Sequence, residues 1–218
     1  MCSHYEAPSP HVLAKAFGID PDPQYKLDLW PGYIGPFLRA SAEDEVDEVD
    51  GGIQLEIGSF GLIPSWSKDD KIARRTYNAR TETVAKKPSF RNAWREGRHC
   101  IVPAQAIYEP DWRSGKAIPA RIERSDGEIM GIAGIWERWK SPSGEWVLSY
   151  SMLTVNADDH AFMRNYHKPD HEKRMVVILP KGTYSDWLKA TAADSMEFMR
   201  QYPADRLTVV SPPPKPAG

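Results

Sequence analysis

The chain begins Met1-Cys2, and a residue as small as cysteine in second place lets the initiator methionine be trimmed. Trimming leaves Cys2 with a thiol and a free α-amine on adjacent carbons, a combination that no internal cysteine offers. The amine has an ordinary pKa of roughly 7.7–8.0 and the thiol about 8.5, so useful fractions of both are deprotonated near neutral pH. An amine condenses with an aldehyde to an imine, and the neighbouring thiol then closes a five-membered thiazolidine ring. A terminal cysteine is therefore either an acyl-transfer nucleophile or an aldehyde trap. Retained Met1 removes the free amine and with it the ring chemistry.

Other candidates lie far from Cys2 in sequence. Glu109 ends the apolar run Ala106-Ile107-Tyr108-Glu109; Pro110 is expected to end the strand ladder there and to turn the carboxylate into a cleft mouth, the alternative being a solvated strand end. His167 follows Phe162-Met163-Arg164-Asn165-Tyr166, where it either caps a helix C-terminus or acts as an acid/base near neutral pH. Asn78 either orients a substrate oxygen or serves a turn. Trp66 adjoins a basic segment, as in sites that stack an unpaired base while neutralising its phosphates; a core tryptophan is the alternative. Cys2 and Cys100 make no disulfide framework, and Cys2-x-His4 supplies at most two metal ligands. No metal and no cofactor is expected.

Several elements must position these groups. Ser9-Pro10 reads as an N-cap with proline in the first turn of a short helix closed by Gly18, which pins the N-terminal arm. Short strands are expected at Tyr25–Trp30 and Pro36–Ala40, and the alternation Ile53, Leu55, Ile57 marks a half-buried strand after a solvated acidic hairpin loop. Ile63 to Glu82 is long and irregular, as functional loops are. A helix over 89–96 precedes strands at Cys100–Val102, Ala106–Tyr108, Ala117–Glu123, Ile129–Trp139 and Trp146–Asn156, separated by Ser-Gly and Asp-Gly turns. Asp158–Tyr166 reads as an aspartate-capped helix and Lys173–Leu179 as an apolar strand. Helices at Ser185–Ala190 and Asp194–Gln201 and a last strand at Leu207–Val210 complete the pattern. The sum is an α+β protein, one domain over residues 2–210, with a mainly antiparallel barrel-like sheet, flanking short helices and a proline-rich flexible tail over 211–218.

The 218 residues carry a formal net charge of −2, unevenly spread. From Lys71 to Arg98 nine basic residues face two acids, whereas six of the eight residues from Glu43 to Asp50 are acidic. That asymmetry suits a locally basic face or a solvated surface. No apolar run resembles a signal peptide or a membrane span, so a cytoplasmic protein is expected; nothing in the sequence suggests an obligate dimer, and a monomer is expected.

Taken together, FGLIPSW at 60–66, YNARTET at 77–83, RHCIVPAQAIYE at 98–109, MLTVNA at 152–157 and His167 followed by Arg174-Met175-Val176-Val177-Ile178-Leu179 resemble the SOS response-associated peptidase (SRAP) family of abasic-site processing proteins. The resemblance implies that Cys2 is the nucleophile, that the partner is single-stranded DNA containing an abasic site, and that the product is a stable thiazolidine. It implies Asn78, Glu109 and His167 as supporting residues, Trp66 as a base-stacking position, and Arg80, Thr154 and Arg174 as positions that grip the DNA backbone. The peptidase label fits removal of Met1.

The chain also departs from the family pattern. Ser3-His4 replaces Gly-Arg, so His4 substitutes for a permanently charged phosphate contact only when protonated. Pro110 replaces an aromatic, and Asp28 stands in an asparagine-type place before Trp30-Pro31. An insertion after His167 brings His171 as a second candidate histidine. Two other readings stand beside the family's: an N-terminal cysteine hydrolase or amidotransferase, and a non-covalent single-strand DNA-binding module.

Overall fold

The computed structural model describes residues 2–18, 25–41 and 52–210. The acidic loop and the proline-rich tail expected from the sequence lie outside them. In chain order the elements are β1 (Tyr5–Glu6), α1 (Pro10–Phe17), β2 (Asp28–Leu29), β3 (Ile34–Ala40), β4 (Ile53–Phe60), β5 (Asn78–Arg80) and α2 (Arg91–Arg95). There follow β6 (His99–Ala104), β7 (Ala106–Asp111), β8 (Ile118–Arg124), β9 (Met130–Lys140), β10 (Trp146–Asn156), β11 (Arg174–Val176), β12 (Ile178–Leu179), α3 (Tyr184–Lys189) and β13 (Leu207–Val210).

Strands β10, β4, β3, β6 and β9 pair successively, and β9 pairs back onto β10, closing a barrel. Its seam is mixed, because β10 runs parallel to β4 and to β5. A second, antiparallel sheet runs β13-β8-β7-β1-β2. One apolar core joins the two layers and takes in Tyr5, Phe37, Phe60, Ile101, Tyr150 and Trp187. The α+β class with a barrel-like sheet is thus the architecture.

Local chemistry explains the agreements and the corrections. Ser9 Oγ accepts from Val12 N, and Gly18 closes α1 in the left-handed region at φ 72°, as the cap residues predict. Pro110 does not end its ladder. It lies opposite Pro119 in the β7–β8 pair, so two residues without N–H donors face each other and pairing continues to Asp111. The helix expected over Asp158–Tyr166 is reduced to a 3₁₀ turn at Met163–Asn165. Here Asp158 accepts from Lys173 N (2.7 Å) instead of capping a helix, and His160 Nδ1 takes the Phe162 and Met163 amides. Lys173–Leu179 divides at Val177, whose N–H and C=O reach Leu153 and Ala133 on different strands. Within the irregular 63–82 segment lies β5, anchored on β10 with Asn78 opposite Met152. Gly61 lets that segment start: at φ 122°, any Cβ there would sit 2.0 Å from the Ala73 carbonyl.

Candidate active site at the N-terminus

The N-terminal arm reaches its place by strand pairing. Tyr5 lies opposite Ile107 and Glu6 opposite Ala106, and Tyr108 N donates to His4 O at 3.0 Å. Continuing that antiparallel register carries Cys2 to the level of Glu109 and Pro110. On the other side, Asn78 Nδ2 donates to the Cys2 carbonyl at 2.7 Å. Asn78 Oδ1 is buried with no hydrogen-bond partner among the described residues. Cys2 is buried, and its thiol donates to His4 O at 3.4 Å. Burial first, and the neighbouring Glu109 second, push the thiol well above its ordinary range.

Glu109 is 2% exposed, and burial pushes its carboxyl up to about 7. His167 Nδ1 stands 3.2 Å from Glu109 Oε2. The other ring nitrogen, Nε2, lies 3.0 Å from the Arg174 carbonyl. A carbonyl only accepts, so Nε2 carries the hydrogen and Nδ1 of the neutral ring turns its lone pair towards Glu109. Burial holds His167 neutral by lowering it to about 4. The pair is arranged to share one proton near neutral pH.

The position of His167 is enforced. It is the one non-glycine residue with positive φ (65°) among the described residues, a conformation that costs energy and persists only where its surroundings demand it. Its N–H donates to Pro110 O at 2.9 Å, and Lys173 Nζ gathers the Lys168 and Pro169 carbonyls at 2.6 and 3.2 Å. His171 is exposed on that loop. Of the two histidines, His167 is the one placed against Glu109.

The residues assigned to DNA by resemblance are placed differently from one another. Trp66 is 55% exposed, with its indole N–H on the Pro88 carbonyl. Arg80 is partly exposed and ion-paired to Glu172 at 2.8 Å. Arg174 is 2% exposed; Glu82 grips it with both carboxylate oxygens (3.0 and 2.9 Å), and Glu172 and Thr154 O lie at 2.6 Å. Thr154 is fully buried beside it. Arg174 and Thr154 therefore build the wall behind His167, whereas Arg80 and Trp66 face outward. His4 is stacked between Trp30 and Tyr108, with Nε2 on Asp28. Tyr108 and Trp30, which no sequence motif marks as site residues, are brought to His4 by the pairing of separate segments, the β1–β7 register setting position 4 beside position 108. Among the described residues no group of His, Cys, Asp and Glu is placed to hold a metal ion, and no helix is long and apolar enough to cross a membrane.

The pair of titrating groups gives a stability test. Between its ordinary 4.5 and about 7, folded Glu109 keeps a proton that the unfolded chain has lost, so this group's contribution falls as pH rises through that window. His167, lowered from 6.5 to about 4, has the opposite slope and contributes stability that is lost as pH falls from 6.5 towards 4. Glu109→Gln removes only the first slope. The variant is expected to gain stability relative to wild type as pH is raised from 5 to 8, by about 3 kcal/mol at most. Thermal melts of both proteins across that range check this, and a pH-independent difference contradicts it.

The SOS response associated peptidase (SRAP) family profile matches residues 1–212. The chain is 36% identical over 179 residues to the abasic site processing protein YoqW of Bacillus subtilis (strain 168), covering 79% of this chain and 76% of that one. It is 28% identical to the abasic site processing protein HMCES of Gallus gallus, covering 78% of this chain and 55% of the relative. A crystal structure of a protein from Bordetella bronchiseptica superposes with a TM-score of 0.85 at 46% identity, covering 96% of this chain and all of that one. With a profile match over nearly its whole length and a barrel shared with a solved relative, the chain belongs to the SOS response associated peptidase family.

Proposed function

We propose that this protein processes abasic sites in single-stranded DNA by forming a covalent thiazolidine between Cys2 and the ring-opened sugar. The observation that carries the reading is the grip on Cys2: Asn78 holds its carbonyl while the Glu109–His167 pair stands at the same level of the sheet. The names of the relatives, abasic site processing proteins, support it.

The chemistry balances as follows. Hydrolysis of the Met1–Cys2 bond consumes one water and frees the α-amine, the peptidase step of this scheme. His167 and Glu109 move a proton between the sugar's ring oxygen and its anomeric hydroxyl, exposing the C1′ aldehyde. The amine adds to C1′ as a carbinolamine, protonated Glu109 delivers a proton to the departing hydroxyl, and water leaves. The thiol then adds to the imine carbon, its proton passing to the imine nitrogen, and the ring closes. The net product is protein plus DNA minus one water. A raised thiol makes the amine the first nucleophile and the thiol the second. Only an unpaired, base-free sugar can present its aldehyde to a buried terminus, which selects for single strands.

The test is incubation with an oligonucleotide carrying one abasic site, followed by denaturing electrophoresis. A band that survives denaturant supports the reading; a thioester on Cys2 that hydrolyses, or binding without any adduct, contradicts it. A second expectation concerns the outer wall. Glu172 competes with phosphate for Arg80, and an exposed pair of this kind is worth about 1 kcal/mol or less. Glu172→Gln is expected to tighten single-strand binding up to about 5-fold at low salt and to lose that advantage as salt rises. Titration at two salt concentrations checks it; unchanged affinity at low salt removes Arg80 from the DNA path.

A further inference from the structure

We infer that Trp30 is a stacking platform for the nucleobase next to the abasic sugar, and that Asp28 reads the edge of that base. The inference rests on the abasic-site reading above and adds to it a residue pair and a sequence preference.

The His4 ring lies 4.0 Å from the Trp30 ring at an interplanar angle of 15°, and 4.0 Å from the Tyr108 ring at 10°. Two rings cannot occupy one face of an imidazole at that spacing, so the order is Tyr108, His4, Trp30. The Tyr108 end is tied down, with its hydroxyl on Glu6 at 3.3 Å and its strand inside the sheet. The Trp30 end is open: the indole is 42% exposed, and among the described residues His4 is the one ring stacked on it. Its N–H donates to Asp28 Oδ2 at 3.2 Å, while Asp28 Oδ1 contacts His4 Nε2. A tryptophan whose inner face and N–H are both fixed has little rotational freedom left to lose, so a ring landing on its outer face binds a prearranged surface.

Position and charge name the occupant. His4 is two residues along extended backbone from Cys2, about 7 Å, so the open end of the stack lies beside the lesion and not on it. At an abasic site the adjoining base has lost a stacking neighbour, and Trp30 supplies a replacement face. Asp28 is 69% exposed and repels phosphate, which excludes the DNA backbone from this spot. A carboxylate instead accepts from an exocyclic amine such as cytosine N4. Cations stand at the margin, where Lys26 Nζ lies 4.9 Å over the Tyr33 ring and the Arg74 side chain neighbours Gly32 in the turn that Tyr33 N closes on Trp30 O.

The experiment measures binding of single-stranded oligonucleotides that carry a tetrahydrofuran abasic analogue, which cannot crosslink. Each neighbouring base is varied in turn or replaced by a second tetrahydrofuran. Wild type is expected to lose about 10-fold in affinity when the base on one side is removed, and to prefer cytosine over thymine there. Trp30→Ala should bind the base-flanked oligonucleotide as weakly as wild type binds the stripped one and show no further loss on stripping; Trp30→Phe should keep most of the effect. Asp28→Asn should erase the cytosine preference while the stacking effect remains. The inference is overturned if Trp30→Ala stays as sensitive to base removal as wild type, or if wild type ignores removal on both sides. Parallel crosslinking to a reactive abasic site separates the two levels: loss of crosslinking in wild type sinks the abasic-site reading, whereas crosslinking with no flanking-base effect sinks only this one.

Discussion

Cys2→Ala is expected to form no denaturant-resistant adduct with abasic single-stranded DNA, a loss of at least about 10³-fold in rate, while still folding and still binding the strand. The substitution removes one buried sulfur from the edge of the core, a change of about 1 kcal/mol that a chain of this size tolerates. It keeps the α-amine, so an imine still forms but no second nucleophile stands on the adjacent carbon to close the ring. Cys2→Ala should therefore give a product that borohydride traps and that water otherwise reverses, and so should Cys2→Ser, whose hydroxyl closes only a readily hydrolysed oxazolidine, whereas wild type needs no reductant. Denaturing gels with and without borohydride check this. An alanine variant that protects abasic DNA as durably as wild type would mean that binding alone is the function.

Asn78→Ala is expected to lower the rate of adduct formation by about 10²-fold, with strand affinity little changed. Its side chain makes the direct hydrogen bond that holds the Cys2 carbonyl, from the neighbouring sheet layer. A misplacement of roughly 1 Å at a reacting group costs about that factor. Asn78→Asp is the informative companion. It keeps the volume but sets an acceptor against the Cys2 carbonyl, so it should be at least as slow as alanine, whereas a role limited to filling space predicts near-normal rates. Burst kinetics on an abasic oligonucleotide, with binding measured separately on the tetrahydrofuran analogue, distinguish the two. A drop in affinity equal to the drop in rate would contradict the positioning role.

Much of the framework was legible because local signals and tertiary context agree. The Ser9 and Gly18 caps of α1, the long strands β9 and β10, and the alternation in β4 all need only patterns a few residues long. The failures share one cause, which is long-range partners taking over local groups. Asp158 carries a capping side chain, but Lys173 N, fifteen residues on, claims it. Pro110 breaks a ladder only where its partner needs a donor, and the facing residue is Pro119. β5 has three residues and no periodicity, so only β10 makes it a strand. At the site, Cys2, Asn78, Glu109 and His167 were nameable from motifs. Periodicity had no bearing on the left-handed backbone that turns His167 against Glu109, or on the ring stack around His4, because both arise where separate segments meet.

Intact mass spectrometry before and after incubation with abasic single-stranded DNA decides whether a trimmed Cys2 captures the sugar. The protein alone is expected to have lost the mass of one methionine residue, and the complex to weigh the sum of protein and oligonucleotide less one water. A protein that retains Met1 yet gains the same adduct, or a trimmed protein that gains none, would contradict that expectation.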